Sequence, residues 1–169
     1  CGCELLLACG LLGFDVAPFT WPVLEIAFGV LDGRGDLVAQ LEFMAAEGFT
    51  ALEDNGMRGR PVEEQERIGK ALVRLNMRMG VLVAHTINWN EPTLTTGDPA
   101  IRDTFLKEVR ESIDVARRVN AKWMTVVPGS VDRRLHMDFQ TADVVQRLRQ
   151  ARAMIEPRGA WFSQMYMSV

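Results

Sequence analysis

Cysteine is missing from most of the chain. All three cysteines, Cys1, Cys3 and Cys9, lie within the first nine of 169 residues. A disulfide scaffold would spread its cysteines along the chain, and a zinc site would need a second pair or nearby histidines. We therefore expect free thiols in a poorly defined N-terminal segment, residues 1–22.

Positive charge is also scarce. The chain carries 19 Lys and Arg against 22 Asp and Glu, a net charge of −3, and no stripe of basic residues. A nucleic-acid-binding protein usually shows such a stripe, so we expect no nucleic-acid partner. The hydrophobic and charged fractions, 48% and 24%, are ordinary for a globular protein and argue against global disorder.

The start of the chain also lacks the features of a membrane segment. The apolar opening, residues 1–14, is too short for a membrane span and lacks both a basic start and an initiator Met. We expect no membrane association and a cytoplasmic location. An exported form that has lost its signal peptide, or a non-native N-terminus, is left open.

The remaining pattern alternates apolar strands with amphipathic helices. No G-x-G-x-x-G follows the first apolar segment, so a dinucleotide-binding fold has weak support. Strict alternation predicts a parallel sheet, either doubly wound or a barrel, in residues 23–169. The predicted strands are 23–30, 49–52, 81–84, 123–127 and 160–169, and the predicted helices are 36–47, 61–75, 99–119 and 138–156.

Four segments carry a family resemblance: LEFMAAEGFTALEDNGM (41–57), MRMGVLVAHT (77–86), TLTTGDPAIRDTFL (93–106) and NAKWMTVVPG (120–129). Together they resemble the hydroxypyruvate isomerase branch of the xylose-isomerase-like TIM barrels. The resemblance implies four to five β/α units of a partial (β/α)8 barrel. It also implies a metal-assisted isomerisation of hydroxypyruvate to tartronate semialdehyde, in which carboxylates move a proton through an enediolate.

Two other functions stay open at this point. One is a related sugar-phosphate or ketose 3-epimerase, and the other is a non-catalytic half-barrel that binds or assembles. A barrel endonuclease acting on abasic DNA is disfavoured by the acidic balance. For the isomerase and the epimerase alike, the expected partner is a small hydroxy-carbonyl or sugar substrate.

Polar residues follow the predicted strands at their carboxyl ends, where barrels place their active sites. With the resemblance, this position predicts Glu53 and His85 as catalytic residues that orient hydroxyl groups or handle protons. The alternatives are a solvated carboxylate for Glu53 and a core histidine for His85. We predict that substrate is bound by Asn55, Arg58, Trp89 and Trp123. The alternatives are turn formation for Asn55, surface solvation for Arg58 and core packing for Trp123.

The resemblance implies one divalent metal, Mg or Mn, held at the ends of strands five to eight. A closed barrel needs about 250 residues, and this chain has 169. Residues 159–169 hold no carboxylate where the family has a metal-binding Glu, and residues 24–29 hold no His. We therefore expect no metal ligands in this chain, a truncated or frame-shifted reading, and little or no activity alone. Exposed sheet edges favour a homo-oligomer.

Overall fold

The computed structural model describes residues 36–159 in full and the backbone of residues 161–168. The predicted strand at 23–30 and the N-terminal segment lie outside these residues. The described helices are α1 (Leu37–Ala46), α2 (Val62–Arg74), α3 (Pro99–Val119) and α4 (Met137–Ile155). The described strands are β1 (Ala51–Leu52), β2 (Arg78–Met79), β3 (Val81–Val83), β4 (Trp123–Ser130) and β5 (Trp161–Ser168).

All the described strand pairs are parallel. Strand β1 pairs with β2, β3 pairs with β4, and β4 pairs with β5. Only Gly80 separates β2 from β3, and its N–H donates to the Leu52 carbonyl at 2.8 Å. Strands β2 and β3 are thus consecutive parts of one extended segment that contacts β1 and then β4. Neighbours in space are therefore neighbours in chain order.

The helices connect these strands and pack against each other in sequence. Helix α2 follows β1, α3 follows β3 and α4 follows β4, and the contacts run α1 to α2, α2 to α3 and α3 to α4. A doubly wound sheet would reverse its strand order at a switch point. The uninterrupted order is instead that of a barrel segment, which confirms the predicted α/β partial TIM barrel.

Local signals define the helix ends. Asp36 and Asp98 cap α1 and α3 by accepting hydrogen bonds from the backbone N–H groups two residues later, at 3.1 and 2.8 Å. Pro99 begins α3, and Asn120 ends it in the left-handed conformation, with φ of 53°. The predicted helix 99–119 is therefore confirmed at both ends.

The core lies between the sheet and the helices. Its fully buried side chains include Leu41, Ile68, Leu82, Val109 and Met124. Each contributes roughly 1.5–3 kcal/mol relative to an exposed position. The predicted strand at 160–169 is confirmed as β5. Among the described residues, no helix is long and apolar enough to cross a membrane.

Candidate functional site

A pocket of about 330 Å³ opens at the carboxyl ends of β1 and β3. It is lined by Asn55, Gly56, Arg58, Gly59, Val83, His85, Thr86, Ile87 and Trp89. Four of the six predicted site residues therefore come together, although 34 residues separate the first from the last. They are Asn55, Arg58, His85 and Trp89.

The other two predicted site residues do not line the pocket. Glu53 directly follows β1 at the same edge of the sheet and is exposed. Trp123 is the first residue of β4 and is 46% exposed, at the edge opposite the pocket. Because parallel strands present their carboxyl ends together, a residue that begins a strand lies a strand length away from them. Trp123 is thus no wall of this pocket.

The loop after β1 is held in shape by a buried carboxylate. Asp54, whose side chain is 3% exposed, accepts from the Gly56 N–H at 2.8 Å and pairs with Arg60 Nε at 2.7 Å. Gln65 of α2 supports the same loop, since its Nε2 donates to the carbonyls of Met57 and Arg60. Asp54 and Gln65 therefore fix the backbone that presents Asn55 and Arg58.

Arg58 reaches across the pocket to α3. Its Nη2 donates to Thr86 Oγ1 at 2.6 Å and to Glu108 Oε1 at 3.0 Å, and its Nη1 lies 3.9 Å from Glu111 Oε2. Glu108 also accepts from the N–H and the hydroxyl of Thr86, at 2.9 and 2.7 Å. Partial burial alone would raise the pKa of Glu108. The hydrogen bonds from Thr86 and the Arg58 charge outweigh it and hold that pKa below its ordinary value.

Sequence reasoning missed Glu108. The only signal was its position beside the apolar stripe of α3, one turn from Phe105, where long polar side chains commonly lie in solvent. Nothing local marks it as a partner of Arg58, which is 50 residues earlier in the chain.

His85 is buried and bonded through both ring nitrogens. Nε2 accepts from the Val127 N–H at 3.0 Å, and Nδ1 lies 2.9 Å from the Thr86 carbonyl oxygen. Phe105 packs against the ring edge to face, with centroids 5.2 Å apart. Burial lowers the pKa of His85, against smaller raising effects of the Thr86 carbonyl and Glu108. The partners assign a neutral imidazole with its proton on Nδ1.

The hydrogen bonds around His85 show why the pocket opens here. The Ala84 N–H still donates to the Thr125 carbonyl at 3.0 Å. The Ala84 carbonyl, however, accepts from Ser112 Oγ of α3 at 2.7 Å, and the Val127 N–H goes to the His85 ring. Side chains thus satisfy groups that a continued parallel ladder would pair.

The loop between β3 and α3 is anchored at both ends of its pocket-lining part. Thr86 is held by Glu108. Further on, the Ser130 N–H donates to the Glu91 carbonyl at 3.2 Å, and the Leu94 N–H donates to the Pro128 carbonyl at 3.0 Å. Residues 87–90 lie between these anchors and carry Trp89, 56% exposed, to the rim.

The divalent metal that the resemblance implies can be tested against these residues. Within the part of the chain that the structure describes, no three His, Cys, Asp or Glu side chains lie together as a metal site requires. Asp54 and Glu108 are bonded to arginines, and His85 to main-chain groups. The described residues therefore do not fit a metal.

Similarity to known proteins is visible in structure rather than sequence. Neither a protein-family model nor a curated protein matches the sequence. Solved structures do match. A D-tagatose 3-epimerase-like protein has a TM-score of 0.61 and 15% identity, over 78% of this chain and 49% of that one. A D-psicose 3-epimerase from Clostridium cellulolyticum H10, solved with D-tagatose, has 0.59 and 13%, over 76% and 46%.

A xylose isomerase domain protein from Planctomyces limnophilus matches with a TM-score of 0.51 and 13% identity, over 76% of this chain and 48% of that chain. The chain spans about half the length of the structures that it matches. Identities this low show the fold alone. This chain therefore has the fold of about half of a (β/α)8 barrel, similar to the barrels of these solved structures.

Proposed function

We propose that this chain forms part of the substrate cleft of a sugar isomerase or epimerase, and that its pocket binds an uncharged ketose. The reaction would be proton transfer at a carbon next to a carbonyl group. The matched fold and the names of the matched structures, among them a D-psicose 3-epimerase and a D-tagatose 3-epimerase-like protein, support the class.

The charge of the pocket carries the choice of substrate. Among the described lining residues, Arg58 holds the fixed positive charge, and Glu108 offsets it at 3.0 Å. His85 adds none, because burial lowers its pKa and favours the neutral ring. A carboxylate or phosphate on the substrate would find no uncompensated cation here. This favours a ketose 3-epimerase over a hydroxypyruvate isomerase, whose substrate is an anion, although the sequence resemblance names the latter.

The lining residues suit a polyhydroxylated ligand. Trp89 offers an exposed aromatic face to the apolar side of a sugar. The Asn55 amide both donates and accepts, as hydroxyl groups require. Glu53, at the same edge of the sheet, is the carboxylate that we propose for proton transfer. We propose that His85 positions the strand ends around the pocket and does not transfer a proton, because main-chain partners occupy both of its ring nitrogens.

Ligand binding by the purified chain tests this proposal without requiring turnover. In NMR titrations, D-tagatose should shift the Trp89 indole and Asn55 amide signals saturably, whereas hydroxypyruvate should not. Trp89→Ala should abolish the D-tagatose response, and Trp123→Ala, which removes another exposed tryptophan far from the pocket, should preserve it.

If hydroxypyruvate bound and D-tagatose did not, hydroxypyruvate would replace the ketose as the proposed ligand. Binding of neither ligand would favour the non-catalytic half-barrel. Turnover assays of both compounds with Mg²⁺ or Mn²⁺ complete the test, because activity of the chain alone would contradict the expectation that it is inactive by itself.

A further inference from the structure

The polar cluster formed by Arg58, Thr86 and Glu108 joins three parts of the fold at the pocket wall. Arg58 comes from the loop after β1, Thr86 from the loop after β3, and Glu108 from the middle of α3. Every pair within this cluster is in direct contact at 2.6–3.0 Å. The cluster therefore fixes the position of the guanidinium and holds a carboxylate against it.

From this geometry we infer that Glu108 is a specificity-determining residue, which makes the pocket reject anions by neutralising Arg58. The inference deepens the proposed function and rests on it for the identity of the uncharged ligand. The neutralisation of Arg58 by Glu108 depends only on the contacts described above.

Glu108 is better placed than any entering anion to hold Arg58. Its side chain is 18% exposed, and Thr86 supplies two further hydrogen bonds to the same carboxylate. Three donors, the Arg58 guanidinium and the N–H and hydroxyl of Thr86, hold the Glu108 carboxylate in place. An incoming phosphate would find Nη2 already donating to two oxygens, and at the other guanidinium nitrogens it would meet a charge that Glu108 offsets.

Glu111 provides a matched comparison. It lies three residues after Glu108 on α3. Its Oε2 is 3.9 Å from Arg58 Nη1, and its side chain is 53% exposed. Solvent screens an exposed pair at that distance, so Glu111 should contribute little to the charge of the pocket. Glu108→Gln and Glu111→Gln each remove one negative charge from α3, but only the first should expose the charge of Arg58.

The experiment measures binding of inorganic phosphate and of D-tagatose to the full chain by NMR, followed at Thr86 and the Arg58 guanidinium. The parent should show no saturable phosphate shift, whereas Glu108→Gln should show one, with an affinity at least about tenfold above the limit set by the parent, the change expected from freeing one charge-assisted hydrogen bond. The gain should fall as salt increases. Adding Arg58→Ala to this variant should remove the gain, and Glu111→Gln should bind phosphate as the parent does.

An equal gain in Glu111→Gln, or none in Glu108→Gln, would overturn the inference. The parent chain gives a test that survives misfolding of the variant, because a saturable phosphate shift at Arg58 in the parent would also overturn it. If the parent binds no ketose while Glu108→Gln gains phosphate binding, the ketose proposal fails and this inference stands. If the parent binds both phosphate and D-tagatose, this inference fails and the ketose proposal stands.

Discussion

Replacing His85 with Phe would separate the hydrogen bonds of this side chain from its packing. Phe keeps an aromatic ring against Phe105 but offers no acceptor to the Val127 N–H and no donor to the Thr86 carbonyl. The Val127 N–H is buried, so it would lose its partner without gaining water.

The expected loss of stability follows from these two bonds. A buried backbone N–H left unpaired costs roughly 1–3 kcal/mol, and the loss of an ordinary hydrogen bond costs roughly 1 kcal/mol more. We therefore expect the free energy of unfolding to fall by about 2–4 kcal/mol at pH 7.5. This is a large share of the total for a domain of this size.

His85 also predicts how stability depends on pH. Burial holds its folded-state pKa below the unfolded value of about 6.5. As pH falls below about 6.5, the unfolded chain takes up a proton that the folded chain resists, so stability present above that pH is lost. The loss from pH 7.5 to pH 5.5 is at most about 1.4 kcal/mol, reached if the folded state stays unprotonated. The Phe variant should lack this contribution.

Urea denaturation of the parent and His85→Phe at pH 7.5 and 5.5 measures both effects. His136→Asn is the control: it removes the other described histidine, keeps an N-capping side chain for α4 and retains His85. It should therefore lose stability in acid as the parent does. Unchanged stability of His85→Phe at pH 7.5, or an acid sensitivity equal to that of the parent, would refute the role of His85 as a neutral, main-chain-bonded residue.

Three further substitutions test the packing that positions the site. A Cβ at Gly69 would lie 2.0 Å from the Arg118 carbonyl oxygen, so Gly69→Ala should push α2 from α3 and cost roughly 1–3 kcal/mol by urea denaturation. Gly129 has a φ of +90°, and a Cβ there would lie 2.3 Å from Thr93 Oγ1. Gly129→Ala should therefore release the anchored loop, seen as faster amide hydrogen exchange at Leu94, whose N–H donates to the Pro128 carbonyl. Ser112→Ala removes the buried hydroxyl that donates to the Ala84 carbonyl, directly after β3, and should cost roughly 1–3 kcal/mol in the same denaturation assay, with an unchanged helix signal by circular dichroism.

Local chemistry made the elements of this fold predictable. Asp98 with Pro99 begins α3, and Asn120 ends it, by contacts confined to neighbouring residues. The alternation of strand and helix then predicted a parallel sheet, because such connections leave few other topologies. The carboxyl-end rule brought His85 and Asn55 to one place, as the pocket lining confirms. The same rule, applied strictly, would have set Trp123 aside, since it begins its strand.

The sequence by itself determined the alternation of strands and helices, the acidic balance and the edge of the sheet at which polar residues gather, whereas strand lengths differ, as β4 (Trp123–Ser130) runs three residues past its predicted end. Only the tertiary structure decided how those residues are charged and bonded. The partner of His85 is 42 residues away, and the carboxylate that neutralises Arg58 is 50 residues away. The first pair arises where β3 lies beside β4, and the second where α3 packs beside the loops after β1 and β3. No periodicity along the chain encodes either pair. A residue's chemistry at this site therefore depends on which neighbours packing supplies, whereas its secondary structure depends on neighbours already adjacent in the chain.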